Sequence, residues 1–65
     1  MFTVLIQRKN GRERLVYSDG DIEWEPLPGG GGLLTMEGAE YQLHDGDRAF
    51  VMNESGQNVQ RYGRR

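Results

Sequence analysis

The feature that most constrains this chain is a series of turn signals separated by segments in which apolar and polar residues alternate. Five dipeptides are typical of tight turns: Asn10-Gly11, Asp19-Gly20, Gly38-Ala39, Asp45-Gly46 and Ser55-Gly56. Because successive side chains of a strand point to opposite faces, turn position and alternation together predict which residues are buried. No segment has the 3.6-residue periodicity of a helix, so the sequence predicts an all-β fold.

Residues 1–25 are predicted to form a meander of three strands. Two-residue turns at the first two signals would align two rows across it, Val4–Tyr17–Ile22 and Ile6–Leu15–Trp24. Residues 33–62 are predicted to form a second meander of four strands, with pairs Met36–Tyr41, Leu34–Leu43, Tyr41–Phe50, Leu43–Arg48, Met52–Val59 and Phe50–Arg61. We expect all these rows to face one interior.

Residues 26–32 contain both prolines and four consecutive glycines, and are predicted to cross over between the meanders. The prediction is therefore one domain over residues 1–62, with six to seven short antiparallel strands, followed by a frayed basic tail at 63–65. Two architectures fit this pattern, a two-sheet sandwich and an SH3-like barrel.

The chain has 65 residues and no cysteine, so its core is small and has no disulfide to stabilise it. Oligomerisation is the remaining common means of stabilisation, and we expect a homo-oligomer. The apolar start, residues 1–6, is too short for a signal peptide or a membrane span. We therefore expect a cytoplasmic protein of a bacterium or phage that does not contact membranes.

Charge is distributed unevenly along the chain. Residues 1–14 and 48–65 each carry a net charge of +3, whereas residues 15–47 carry −8 and contain no Lys or Arg. This pattern predicts an acidic central region between two basic ends.

No motif predicts catalysis, a metal or a cofactor. His44 beside Asp45 has no nucleophile with a local signature nearby, so a solvated turn histidine is the better interpretation. The two Asp-Gly-Asp triplets lack the remaining ligands of a calcium loop, and the glycine-rich segment lacks the Lys or Ser/Thr of a phosphate loop. The acidic residues Glu23, Glu25 and Glu40 fit a solvated face better than a pair of glycosidase carboxylates. We expect a non-enzymatic protein.

The outer face of the first hairpin is the predicted binding surface. The predicted register places Leu5 opposite Val16 and Lys9 opposite Arg12, with Arg14 close by. Like charges opposed across strands destabilise a hairpin unless an anionic partner is bound. The alternative is a basic tip that only keeps the edge soluble. The sequence predicts an interaction module that self-associates, binds an acidic protein surface, or does both.

A nucleic-acid-binding barrel is the alternative function. In that case Lys9, Arg12 and Arg14 would contact phosphates together with Arg61, Tyr62, Arg64 and Arg65. The net charge of −2 and the acidic central region disfavour this alternative.

Overall fold

The computed structural model describes residues 1–63, which form seven antiparallel strands. The strands are β1 (Phe2–Gln7), β2 (Glu13–Ser18), β3 (Ile22–Pro26), β4 (Gly32–Met36), β5 (Ala39–Leu43), β6 (Arg48–Met52) and β7 (Asn58–Tyr62). Residues 1–63 contain no helix, so the all-β prediction is confirmed. No membrane-crossing helix occurs in this part of the chain.

The strands form two sheets, one of four strands in the order β2-β1-β6-β7 and one of three in the order β3-β4-β5. Of the two predicted architectures, the two-sheet sandwich is confirmed, but the predicted membership of the sheets was wrong. Strand β3 pairs with β4 rather than β2, and β6 pairs with β1 rather than β5. Each sheet keeps two open edges, so the architecture is a sandwich and not a closed barrel.

The Pro/Gly segment is a hairpin loop within the smaller sheet and not the predicted crossover, since Pro26 pairs with Gly32. Gly31 has φ of +74°, and a Cβ there would collide with the Leu43 carbonyl. The chain changes sheets instead after β2 and after β5, at two of the predicted hairpin turns. Gly20, in the first of these, does not have the positive φ that a type I′ turn would need.

The first hairpin has a three-residue loop where two residues were predicted. Arg8 N–H donates to the Arg12 carbonyl at 2.7 Å, and Gly11 follows the turn with φ of +95°. One extra loop residue shifts the register by one, which reverses the faces of β2. Leu15 and Tyr17, predicted to be buried, therefore point outward and are 54% and 59% exposed.

The hairpin between β6 and β7 has a loop of the same length, but a bulge compensates for it. Asn53 N–H donates to the Gln57 carbonyl at 3.0 Å, and the register then shifts between Val51 and Met52. Beyond the bulge Phe50 lies opposite Arg61, as predicted, whereas Met52 lies opposite Asn58 and not Val59.

The β4–β5 turn lies at Glu37-Gly38, one position before the predicted dipeptide, and both residues have positive φ. Met36 therefore pairs with Ala39, and Leu34 with Tyr41. The predicted partners were wrong by two residues. A shift of two preserves the faces, so the apolar side chains of this hairpin still point inward.

The core lies between the sheets and consists of Val4, Ile6, Leu34, Met36, Leu43, Ala49 and Val51. On β6 the buried residues are Ala49 and Val51, so the prediction that Phe50 and Met52 face inward was wrong. One side of the sandwich is covered by Trp24 stacked on Tyr62, with ring centroids 5.3 Å apart.

Candidate functional site

The outer face of the four-stranded sheet carries a continuous group of apolar side chains. We call it the apolar face, and it consists of Leu5, Leu15, Tyr17, Phe50 and Met52. Leu5 lies opposite both Leu15 on β2 and Phe50 on β6, which makes one apolar row across three strands. Thr3 likewise joins Tyr17 to Met52 in the next row. Leu5, Phe50 and Met52 are half-buried by their neighbours, whereas Leu15 and Tyr17 are exposed.

The core explains why these residues face outward. Val4 and Ile6 are completely buried, so the alternation of β1 turns Leu5 to the opposite face. On β6, Ala49 and Val51 are buried, so Phe50 between them points to the outer face. Strands β1 and β6 thus carry apolar residues on both faces, and those on the outer face lie side by side on one surface.

Charged side chains border the apolar face. Glu13 lies at the β2 edge and accepts a hydrogen bond from Gln7 Nε2 at 3.0 Å. Arg48 lies opposite Gln7, and Arg61 lies opposite Phe50 at the β7 edge. Among residues 1–63, neither arginine has an acidic partner within 4.0 Å. The face therefore has acid at one edge and base at the other.

The outer face of the three-stranded sheet has a different chemistry. Glu23 and Glu40 both lie opposite Thr35, and Glu25 and Gln42 both lie opposite Leu33. This face contains three glutamates and a single large apolar side chain. Three of the eight acidic residues of the central region are thus directed away from the apolar face.

The structure divides the predicted binding residues. Leu5 is on the outer face, but the register shift places Val16 and Arg14 on the inner face of β2, where Val16 packs against the core. The Arg14 guanidinium lies over the Tyr41 ring, 5.4 Å from its centroid, and covers the side of the sandwich between β2 and β5. The predicted Leu5–Val16 pair does not exist, since Leu5 faces Leu15.

Lys9 and Arg12 lie in the first loop, beside a shallow cleft of about 420 Å³ between this loop and the β5–β6 connection. His44 and Asp45 line the opposite side of the cleft. The His44 side chain is 73% exposed, which agrees with its prediction as a solvated turn histidine. The cleft therefore has basic groups on the side of the first loop and carboxylates on the side of the β5–β6 connection.

The predicted nucleic-acid residues are also divided. Arg61 is on the outer face, while Tyr62 points inward and stacks on Trp24 with an interplanar angle of 26°. Arg64 and Arg65 lie outside the described residues, as does most of the tail predicted to fray.

Asp47 holds together the two loops at one end of the sandwich. Its side chain, 5% exposed, accepts hydrogen bonds from Lys9 N–H at 2.7 Å, His44 N–H at 2.9 Å and Arg8 Nη1 at 3.0 Å. Burial alone raises the pKa of Asp47, but the two backbone donors and the Arg8 guanidinium outweigh it and lower the pKa below 3.8. Arg8 also donates to the Gln42 carbonyl on the β5 edge.

Glu37 joins two connections at the opposite end of the sandwich. Its Oε2 accepts hydrogen bonds from Asp19 N–H at 2.7 Å and Gly20 N–H at 2.8 Å. The β4–β5 turn of the smaller sheet is thereby joined to the connection that leaves the larger one. The two carboxylates thus join elements of the two sheets at opposite ends of the sandwich. Neither role is visible in the local sequence, because the contacts with Lys9, Asp19 and Gly20 join positions far apart in the chain.

Comparisons with known proteins give no family for this chain. No protein-family model matches the sequence, and neither a curated protein nor a solved structure matches it. The geometry and charge of the apolar face are therefore the basis for the functional conclusion.

Proposed function

We propose that this chain is a small non-catalytic interaction domain, located in the cytoplasm, that self-associates through the apolar face. The observation that supports the proposal most strongly is the row Leu15–Leu5–Phe50, which lies on the outside of the larger sheet. Contiguous exposed apolar groups bordered by charges are typical of protein-interaction sites. The proposed site is thus the outer face of the first hairpin, extended onto β6.

The size of the face allows only a weak dimer. Four strands of about five residues cover roughly 15 by 17 Å, which is about 250 Å² of flat area per copy. A face-to-face pair therefore covers on the order of 500 Å² in total, at the small, transient end of protein interfaces. This is a small part of the accessible surface of 4527 Å². We therefore expect a dimer that forms only at high protein concentration.

A second copy fits this face better than a purely acidic protein surface does. The centre of the face is apolar, so its occupant must supply apolar side chains to make the removal of water favourable. A second copy supplies them, together with both signs of charge at its edges. The acidic face of the smaller sheet supplies Leu33 alone.

Single-stranded nucleic acid is the second candidate. Tyr17 and Phe50 share the apolar face with Arg48 and Arg61, and aromatic side chains beside arginines can stack bases and contact phosphates. Three of the acidic residues that disfavoured this function in the sequence, Glu23, Glu25 and Glu40, lie on the opposite face of the sandwich. Phe50 is half-buried, however, and offers little ring surface for stacking.

The variant Leu15→Arg separates these candidates when sedimentation equilibrium is measured over a wide concentration range. Burying the 54% exposed Leu15 contributes about 1 kcal/mol per copy, so its replacement in both copies weakens the dimer roughly 30-fold. The control is Leu33→Arg, the same change on the opposite face, which leaves the dimer unchanged.

Binding of labelled single-stranded DNA and RNA at low salt completes the test. An added arginine does not weaken a nucleic-acid interface, so Leu15→Arg would retain or increase such binding. A wild-type protein that stays monomeric at high concentration contradicts self-association. Nucleic-acid binding by that monomer would assign the face to the second candidate.

A further inference from the structure

We infer that the two copies are related by a twofold axis parallel to the strands, which brings Glu13 of each copy against Arg61 of the other. This inference rests on the proposed self-association and specifies its geometry. The orientation follows from the order of the strands and from the charges at the two edges of the apolar face.

An axis parallel to the strands reverses the strand order of the second copy. With the order β2-β1-β6-β7, strand β2 then lies over β7 of the second copy, and β1 lies over β6. The row Leu15–Leu5–Phe50–Arg61 meets its own reverse, so Leu5 packs against Phe50 of the other copy. Leu15 lies against the aliphatic stem of the other Arg61. A crossing angle of about 30° between aligned sheets changes the central Leu5–Phe50 contact least.

The charges become complementary in this orientation. Glu13 is two residues before Leu15 on the same face of β2. When Leu15 covers the aliphatic stem of Arg61 of the other copy, Glu13 therefore reaches the guanidinium of that arginine. Arg48 of the second copy lies over Gln7, the neighbour to which Glu13 is hydrogen-bonded. Each acidic edge is thereby placed against a basic edge, twice in one interface.

The other twofold orientation, with its axis perpendicular to the strands, opposes like charges. Each strand would then lie over its own counterpart, and an axis through the central row would place Arg61 directly on Arg61. Like charges opposed at an interface suppress association. Glu13 would face Tyr17 there and would have no cationic partner.

A charge exchange between two variants tests the orientation. Glu13→Arg and Arg61→Glu each oppose like charges in the homodimer, and each is expected to weaken it about tenfold or more. When the variants are mixed, the introduced arginine faces the introduced glutamate, and the native Glu13 of one faces the native Arg61 of the other. The mixture therefore forms a heterodimer with about wild-type affinity, which native mass spectrometry identifies by mass.

The control is Glu23→Arg, an equal charge change on the outer face of the smaller sheet, which leaves the homodimer intact. If Glu13→Arg has no effect while Arg61→Glu pairs preferentially with wild type, the perpendicular axis is correct and this inference is wrong. If Leu15→Arg dissociates the dimer but no charge variant does, the apolar face is the interface and only the proposed orientation of the two copies is wrong. If none of these variants changes association, the apolar face is not the interface and the proposed function fails with it.

Discussion

Replacing Asp47 with alanine is expected to remove a large part of the stability of this domain. The backbone N–H groups of Lys9 and His44 would lose their acceptor, and Arg8 would lose a partly buried ion pair. A buried donor left without a partner costs about 1–3 kcal/mol, and both backbone donors are partly buried. We therefore expect a loss of about 3 kcal/mol from a total that, for a chain of this size, is on the order of 3–10 kcal/mol.

Urea unfolding followed by the fluorescence of Trp24 measures this effect, since Trp24 is the only tryptophan and stacks on Tyr62. A loss of 3 kcal/mol corresponds to a melting temperature lower by roughly 15 °C. The matched control is Asp45→Ala, which removes an exposed carboxylate from the same connection and should cost less than about 0.5 kcal/mol. Equal losses for the two variants would refute the role assigned to Asp47.

The same site has a defined pH dependence. Because the folded-state pKa of Asp47 lies below its usual value of 3.8, the ionised carboxylate stabilises the folded state. This contribution is complete above the pKa of the unfolded chain and is lost as pH falls through the folded-state pKa. The stability difference between wild type and Asp47→Asn should therefore be constant near neutral pH and narrow below about pH 4. A difference that widens in acid would contradict the sign.

Two further stability predictions concern Glu37 and Gly31, and both are measured by the same urea titration. Glu37→Ala leaves the N–H groups of the β2–β3 connection without their acceptor and should lower the free energy of unfolding by about 1–2 kcal/mol. Its control is Glu40→Ala on an exposed face, which should lower it by less than about 0.5 kcal/mol. Gly31→Ala places a Cβ against the Leu43 carbonyl at a positive φ and should lower the free energy of unfolding by more than about 2 kcal/mol. A loss under about 1 kcal/mol would show that the loop adapts to the added methyl group.

Local sequence predicted where the strands are but not always which way they face. Alternation and turn residues located the segments correctly, and the inward faces of β1, β3, β4 and β5 followed from them. An Asn-Gly dipeptide is compatible with loops of two or three residues, and that one-residue difference moved Leu15 and Tyr17 from the predicted core to the surface. Apart from Leu5, which was predicted to face outward, the residues of the apolar face were therefore ones that the pattern assigned to the interior.

Long-range pairing was the part that the sequence could not supply. The pairing of β1 with β6 has no local signal, because an Asp-Gly turn does not specify whether the next strand stays in the same sheet. The contact of Asp47 with Lys9 joins residues 38 positions apart, and that of Glu37 with Asp19 joins residues 18 positions apart. Such contacts depend on the packing of the two sheets, which neither the turns nor the alternation determine.

The most direct test of self-association through the apolar face is a concentration series of NMR spectra that resolve side-chain and backbone signals on both outer faces. If the apolar face binds a second copy, signals of Leu5, Leu15 and Phe50 shift together as concentration rises, while those of Leu33 and Thr35 on the opposite face stay constant. Signals of the apolar face that remain unchanged up to millimolar concentration would contradict self-association through this face. Signals that shift on the acidic face instead would contradict it equally.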